Sequence, residues 1–323
     1  MRKVVVSVAA LVACAASALA ADMPAKGAKK AAAPVVVSPW DIAFGGALMS
    51  DYNFRGISQT DRGPGATAYF EPRYNVNPNW QLYAGIAGST VDLPTDPSAE
   101  IDLYAGVRPT LGPLALDLGF IYYYYPNESQ HATGVAGATF PSFPNGNATL
   151  ANTDYWEVYA KPTWTVNDVF ALGGNLYYTP SWLNTGAKGV YASATAKLTA
   201  PAKMFAPNWG AYLSGEFGHQ ALGTTNFVPL VLVNNAGTGG IQLPDYNYWN
   251  LGVGFTYKVL TLDLRYHDTN LSKAECNALS GDPTATATAG VIINNFTTTA
   301  ASNWCNSTFV AKLSFDTSLA AFK

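Results

Sequence analysis

The chain has 323 residues, 49% of them hydrophobic and only 12% charged, with a formal net charge of −3. An ordinary soluble domain carries about 25% charged residues, so the composition argues against a typical cytosolic protein. The acidic balance argues against a nucleic-acid binder, which needs a basic face.

Aromatics make up 13% of the chain, with 19 Tyr and 8 Trp, and the mean hydropathy is only +0.06. Residues 1–20 read as an export signal: "MRK" is the positive end, "VVVSVAALVA" the apolar stretch and "ALA" a small-residue cleavage site. "LVAC" (Leu11 to Cys14) offers a competing reading as a lipoprotein box, but the apolar character continues to Ala20 and then stops. Cleavage after Ala20 removes Arg2 and Lys3 and moves the net charge from −3 to −5. Past that point no apolar run approaches the ~18 residues of a helical span. Residues 21–39, rich in Ala, Lys and Pro, lack periodicity and read as a flexible periplasmic tail.

From residue 40 the pattern changes to period-two alternation. Strands are predicted over 40–52, 65–76, 79–90, 99–110, 113–125, 154–164, 168–179, 188–198, 208–220, 246–257, 259–269 and 308–317. Most are near the ~9–11 residues a tilted strand needs to cross a bilayer. No segment between them has a convincing helical period. Short connections ("NPN", "LG", "VND", the turn at Lys258 and the somewhat longer "TAPAKMFAP") alternate with long ones at 53–64, 91–98, 126–153, 180–187, 221–245 and 270–307. A membrane barrel alternates in this way, with short turns at the periplasmic rim and long loops outside.

The faces decide which solvent each side meets. In "LTLDLRYHD", Leu260, Leu262, Leu264 and Tyr266 oppose Thr261, Asp263, Arg265 and His267. In "EIDLYAGVR" and "WEVYAKPTW" the polar faces carry Asp102 and Arg108, and Glu157 and Lys161. The Ala and Gly of the apolar faces could not fill a closed interior of twelve strands. A sandwich would concentrate its aromatics mid-strand, yet here they sit at strand ends. Trp40, Trp80, Trp164 and Trp209 lie near short turns, and Tyr122 to Tyr125, Tyr177, Tyr178 and Tyr246 near long loops. Two such girdles fit the two membrane interfaces. The leucines are therefore expected to face lipid and the charges a wet lumen.

Two stretches, "SDYNFRGISQTD" (Ser50 to Asp61) and "YHDTNLSKAEC" (Tyr266 to Cys276), resemble the TorF-type porin family. The resemblance covers about residues 40–323 and implies an outer-membrane barrel more firmly than any transport activity. The Ala/Lys/Pro tail and the long 126–153 and 221–245 loops depart from the family pattern.

The lumen candidates are Arg73, Arg108, Lys161, Lys197, Lys258, Arg265 and Lys312 among cations, and Asp41, Glu71, Asp102, Asp117, Glu157, Glu216, Asp263 and Asp316 among anions. Near-equal numbers allow either an open channel with a transverse field or ion pairs that plug it. Of the long loops, 126–153 is the expected one to fold inward. Cys276 and Cys305 share one outside loop and, in an oxidising compartment, are expected to form a disulfide; two free thiols are the alternative. Asp263 and His267 share a face and could form an acid–base pair, but no nucleophile motif accompanies them. Arg55 and Arg62 are expected on a solvated outer loop, where lipopolysaccharide phosphates could meet them. The sequons "NES", "NAT", "NFT" and "NST" read as chance in a chain rich in Asn and Thr.

The expectation is an all-β, up-and-down transmembrane β-barrel in the outer membrane of a Gram-negative bacterium. It would pass small hydrophilic solutes passively, with no cofactor, metal or turnover, in contact with membrane lipid and lipopolysaccharide. A non-conducting barrel acting through its loops is the alternative, and an outer-membrane hydrolase a third. Oligomeric state is left open.

Overall fold

The computed structural model describes residues 39–131, 143–145, 147, 149, 151–226, 240–293 and 296–322. The export signal, the Cys14 alternative and nearly all of the tail lie outside these residues.

Twelve antiparallel strands close into one barrel. They are β1 (Trp40–Met49), β2 (Gly65–Asn77), β3 (Trp80–Ser89), β4 (Glu100–Leu111), β5 (Leu114–Tyr124), β6 (Tyr155–Thr165), β7 (Phe170–Thr179), β8 (Gly189–Thr199), β9 (Trp209–Leu222), β10 (Tyr246–Tyr257), β11 (Leu260–Thr269) and β12 (Thr308–Ser318). Each strand pairs with its sequence neighbour, and β12 closes on β1 with Gly45 opposite Asp316. Closure leaves no strand edge unpaired, as lipid demands. All twelve predicted strands are present, and the largest difference is at β1, which ends at Met49 rather than 52. Both barrel ends lie at the rim of short turns, and the six long connections share the opposite rim.

Alternation places the polar residues inside. On β11, Thr261, Asp263 and His267 are buried, while Leu260, Leu262 and Leu264 are about 40% exposed on the outer wall. The same split runs along β2, where Glu71 and Arg73 are buried between exposed Phe70 and Tyr74. The outer surface is thus a continuous apolar band with a charged interior, the inverse of a soluble barrel. A bacterial single-chain barrel of this kind spans the outer membrane. Leu264→Arg should therefore cost about 2–4 kcal/mol, the range for a lipid-facing cation near the bilayer midplane. The check is the urea midpoint for folding into liposomes, which should fall. An unchanged midpoint would place Leu264 in water.

The aromatic girdles follow the same logic, with one correction. Trp40, Trp80, Trp164 and Trp209 are exposed at the short-turn rim, as expected. At the outer rim Tyr124 and Tyr178 face out, but Tyr123, Tyr125, Tyr177 and Tyr246 are buried inside. Strict alternation splits a run of tyrosines between lipid and lumen. Several inward rings lie over glycine on the paired strand: a Cβ at Gly254 would come within 2.1 Å of the Tyr212 ring, and at Gly119 within 2.5 Å of the Tyr159 ring. Glycine there lets the ring lie along the wall.

The outer loops contain structure that strand-seeking misses. A hairpin pairs Asn53–Phe54 with Ile57–Ser58, and another pairs Thr286–Ile293 with Phe296–Ala301. Between β11 and β12 lies α1 (Lys273–Ser280), where no helical period was expected. Its start is a capping box: the Ser272 side chain accepts from the Glu275 backbone while Glu275 reaches back to the Ser272 backbone. Gly281, in the left-handed conformation, ends it.

Candidate functional site

The first outside loop enters the lumen. Its hairpin turns through Arg55 (φ 48°) and Gly56 (φ 89°), a two-residue turn with both residues left-handed. The Gly56 backbone approaches the wall so closely that a Cβ would lie 2.2 Å from the Thr269 side chain. Asn53 Oδ1 accepts from the Gly56 amide at 3.0 Å, and Asp51 accepts from Ser58 Oγ at 2.6 Å and Thr60 Oγ1 at 3.1 Å. Tyr52 OH reaches Glu100 on β4 at 2.6 Å. In the described part of 126–153, Asn145 and Asn147 donate to backbone carbonyls beyond α1, at Asp282 and Ala285. The rest of this loop, 132–142, 146, 148 and 150, lies outside the described residues, and so does the expectation that it folds inward.

This turn carries Arg55 into the barrel. The guanidinium donates to Glu157 on β6, through Nη1 to Oε1 at 3.0 Å and Nη2 to Oε2 at 2.7 Å, and to Gln220 Oε1 on β9 at 3.0 Å. Its Cζ lies 4.6 Å from the ring centres of Phe54 and Tyr177 and 4.5 Å from that of Tyr191. Arg55 is 6% exposed, so the expectation of a solvated outer arginine is overturned. Burial alone would lower its pKa, but the Glu157 carboxylate outweighs burial and the net shift is upward. Arg62 is not free in solvent either, since it donates to the carbonyls of Asn303, Asn306 and Ser307.

Below this plug, toward the short-turn rim, the sequence-predicted charges fall into two groups. On β2, β4, β5 and β6, Arg108 forks onto Glu71 at 2.7 and 3.0 Å and reaches Asp117 at 3.2 Å, Arg73 meets Glu71 at 2.5 Å, and Lys161 lies 3.7 Å from Asp117. Tyr83 bonds Asp117 and lies 2.6 Å from the Tyr159 hydroxyl. Across the barrel, Arg265 binds Asp263 at 2.9 and 3.0 Å and also reaches Asn250 and Ser214. Lys312 stands opposite Asp263 in the β11–β12 register. Glu216 accepts from Tyr191 and Asn175, and Lys197 lies over the Tyr212 ring. Asp41 and Asp316 occupy inward positions at the short-turn end.

One expectation is corrected. Lys258 sits exposed in the β10–β11 turn with φ 53°, outside the lumen. Asp263 and His267 do not form a pair: Arg265 and Tyr212 take the Asp263 oxygens, and His267 Nδ1 lies 2.9 Å from Tyr248 OH. Asp102 faces inward, as expected, and is 1% exposed; among the described residues it pairs with no cation, and its Oδ1 has no hydrogen-bond partner. Sequence reasoning also missed Gln220 and the inward tyrosines as site residues. Alternation on β7 and β9 could have found them.

Cys276 on α1 and Cys305 form the expected disulfide, with Cα atoms 5.7 Å apart. The bridge fixes the 302–307 segment beside the plug, where Ser58 N donates to Trp304 O and Thr269 Oγ1 to Cys305 O. Reduction should leave the barrel folded but loosen 269–307 and 51–62, removing about 3–4 kcal/mol of local stability on the chain-entropy model for a separation of 29 residues. Amide exchange of those two segments, measured with and without reductant, should rise together. Exchange rising in 269–307 alone would mean that the two loops are uncoupled.

These features define a membrane-spanning barrel with a charge-filled, loop-plugged lumen. The chain belongs to the Gcw_chp family of bacterial proteins of unknown function, whose model matches residues 32–296. No curated protein matches it. Among solved structures, it is similar to a Pseudomonas aeruginosa FadL homologue (12% identity, 86% of this chain and 89% of that one, TM-score 0.40). It is also similar to the NanC porin (8% identity, 85% and 98%, TM-score 0.38) and to in-vitro folded OmpT of Vibrio cholerae (12% identity, 88% and 100%, TM-score 0.34).

Proposed function

We propose that the protein is a passive outer-membrane channel for small hydrophilic solutes, held shut by its first outside loop. Arg55 is the observation that supports this reading. The twelve-strand ladder is complete without it, and the element at the outer mouth is a two-residue turn held by side-chain bonds and by a backbone bond from Ser58 to Trp304, none of them part of the ladder. A turn of that kind can leave without breaking any barrel hydrogen bond. The polar lumen behind it, with Lys197, Glu216 and Lys312 partly exposed, suits hydrated solutes more than lipids. Lipid and lipopolysaccharide around the girdles are the surrounding partners in this reading.

Planar-bilayer recording of the folded protein under a salt gradient tests it. Brief discrete openings from a mostly closed state are expected, with a reversal potential that reports the dominant lumen charge. Silence from folded wild type and folded Arg55→Ala alike would reject the channel. One observation favours a second reading. Glu71, Arg73, Asp117 and Tyr83 are all buried, as in a barrel whose interior is structural and whose loops carry the function.

A further inference from the structure

We infer that the pocket occupied by Arg55 is a receptor for a solute with a guanidinium-type cationic head, for which Arg55 is the built-in occupant. The wall supplies nearly all of the recognition chemistry. Glu157 offers a forked carboxylate, Gln220 an amide oxygen, and Tyr177 and Tyr191 two ring faces at 4.6 and 4.5 Å from the guanidinium carbon. These four residues stand on β6, β9, β7 and β8, and Tyr123 OH orients Glu157 at 3.0 Å. The loop adds the cation itself and one further ring, Phe54.

A planar cation fits this set because the carboxylate takes two parallel N–H groups while the rings stack on its faces. An ammonium head would use only a point-charge contact. With Arg55 withdrawn, Glu157 is left without the cation that binds it. The vacated pocket then holds an uncompensated carboxylate and attracts cations. An incoming guanidinium and the loop arginine compete for one pocket, so the solute itself would displace the plug.

This inference rests on the channel reading for passage of the solute but not for its binding, and the test separates the two. Folded Arg55→Ala is titrated with ethylguanidinium chloride, with sodium chloride at the same ionic strength as the control. The midpoint of its heat-dependent gel shift should rise by about 3 °C at roughly ten times Kd. The rise should vanish in Arg55→Ala/Glu157→Gln. In the wild type, whose pocket is filled, the same cation should instead increase amide exchange of residues 51–60 severalfold. No specific shift in Arg55→Ala, or an equal shift in the double variant, overturns the receptor, and unchanged exchange in the wild type overturns the competition. Should Arg55→Ala not fold, the wild-type exchange measurement decides alone. Binding without conductance would sink the channel and keep the receptor; conductance without binding would do the reverse.

Discussion

Arg55→Ala is expected to raise the open fraction of the barrel about 100-fold, seen as frequent current steps where the wild type is mostly closed. The size follows from what the substitution leaves behind. With the loop inserted, Glu157 remains 1% exposed and loses its bidentate cation. Breaking a buried pair by removing one partner costs about 3–5 kcal/mol, because the other charge is stranded. With the loop withdrawn, the carboxylate meets water and the cost disappears. The penalty therefore falls on the closed state alone, and ~3 kcal/mol corresponds to about two decades in an equilibrium constant. Arg55→Lys should lie between, since the charge stays but the fork and the flat stacking face are lost. Glu157→Gln should also open the barrel by stranding Arg55. The double variant Arg55→Ala/Glu157→Gln should open it less than the sum of the two, because the pair shares one interaction. Additive effects would mean that the two residues act on different steps.

The sequence reveals the wall of this barrel far better than its contents, and the reason is the range of the interactions. Strand placement rests on a local rule, alternation every second residue, so Asp263, Glu157 and Lys161 could be assigned to the lumen one strand at a time. Their partners could not. Arg108 binds Glu71, and Arg55 binds Glu157 at a separation of 102 residues, and no local pattern encodes either choice. Arg55 is the harder case because its turn lies in an aperiodic loop, where a charged residue reads as solvated by default. One clue was present: Arg-Gly between Phe54 and Ile57 is a two-residue turn flanked by apolar residues, the form of a tight hairpin. The same holds for α1, whose Ser-x-x-Glu start at Ser272 was legible but was outweighed by the expectation of an irregular loop. The split of Tyr122 to Tyr125 between two solvents was also readable, had the girdle been assigned by parity rather than by distance from the loop.

How dry the polar interior is can be read from a second substitution. Arg108→Ala is expected to destabilise the folded barrel by about 3–5 kcal/mol, the cost of stranding buried carboxylates. Arg108 touches two of them, Glu71 and Asp117, and its guanidinium lies 3.6 Å from the Tyr83 ring centre. Removing it leaves Glu71 with Arg73 alone and Asp117 with Lys161 at 3.7 Å. Arg108→Met, which keeps volume but not charge, should cost nearly as much, because the loss is electrostatic. Adding Glu71→Gln to Arg108→Met should recover part of the stability, as replacement of whole buried pairs by neutral groups often does. The measurement is the urea midpoint in liposomes, read by the heat-dependent gel shift. A loss below about 1 kcal/mol, the range of water-screened surface pairs, would mean that the lumen around Arg108 is wet. A dry cluster would confine any passage to the β7–β9 side, where Lys197 and Glu216 remain partly exposed. The stability of one arginine thus locates the path that the conductance measurement can only detect.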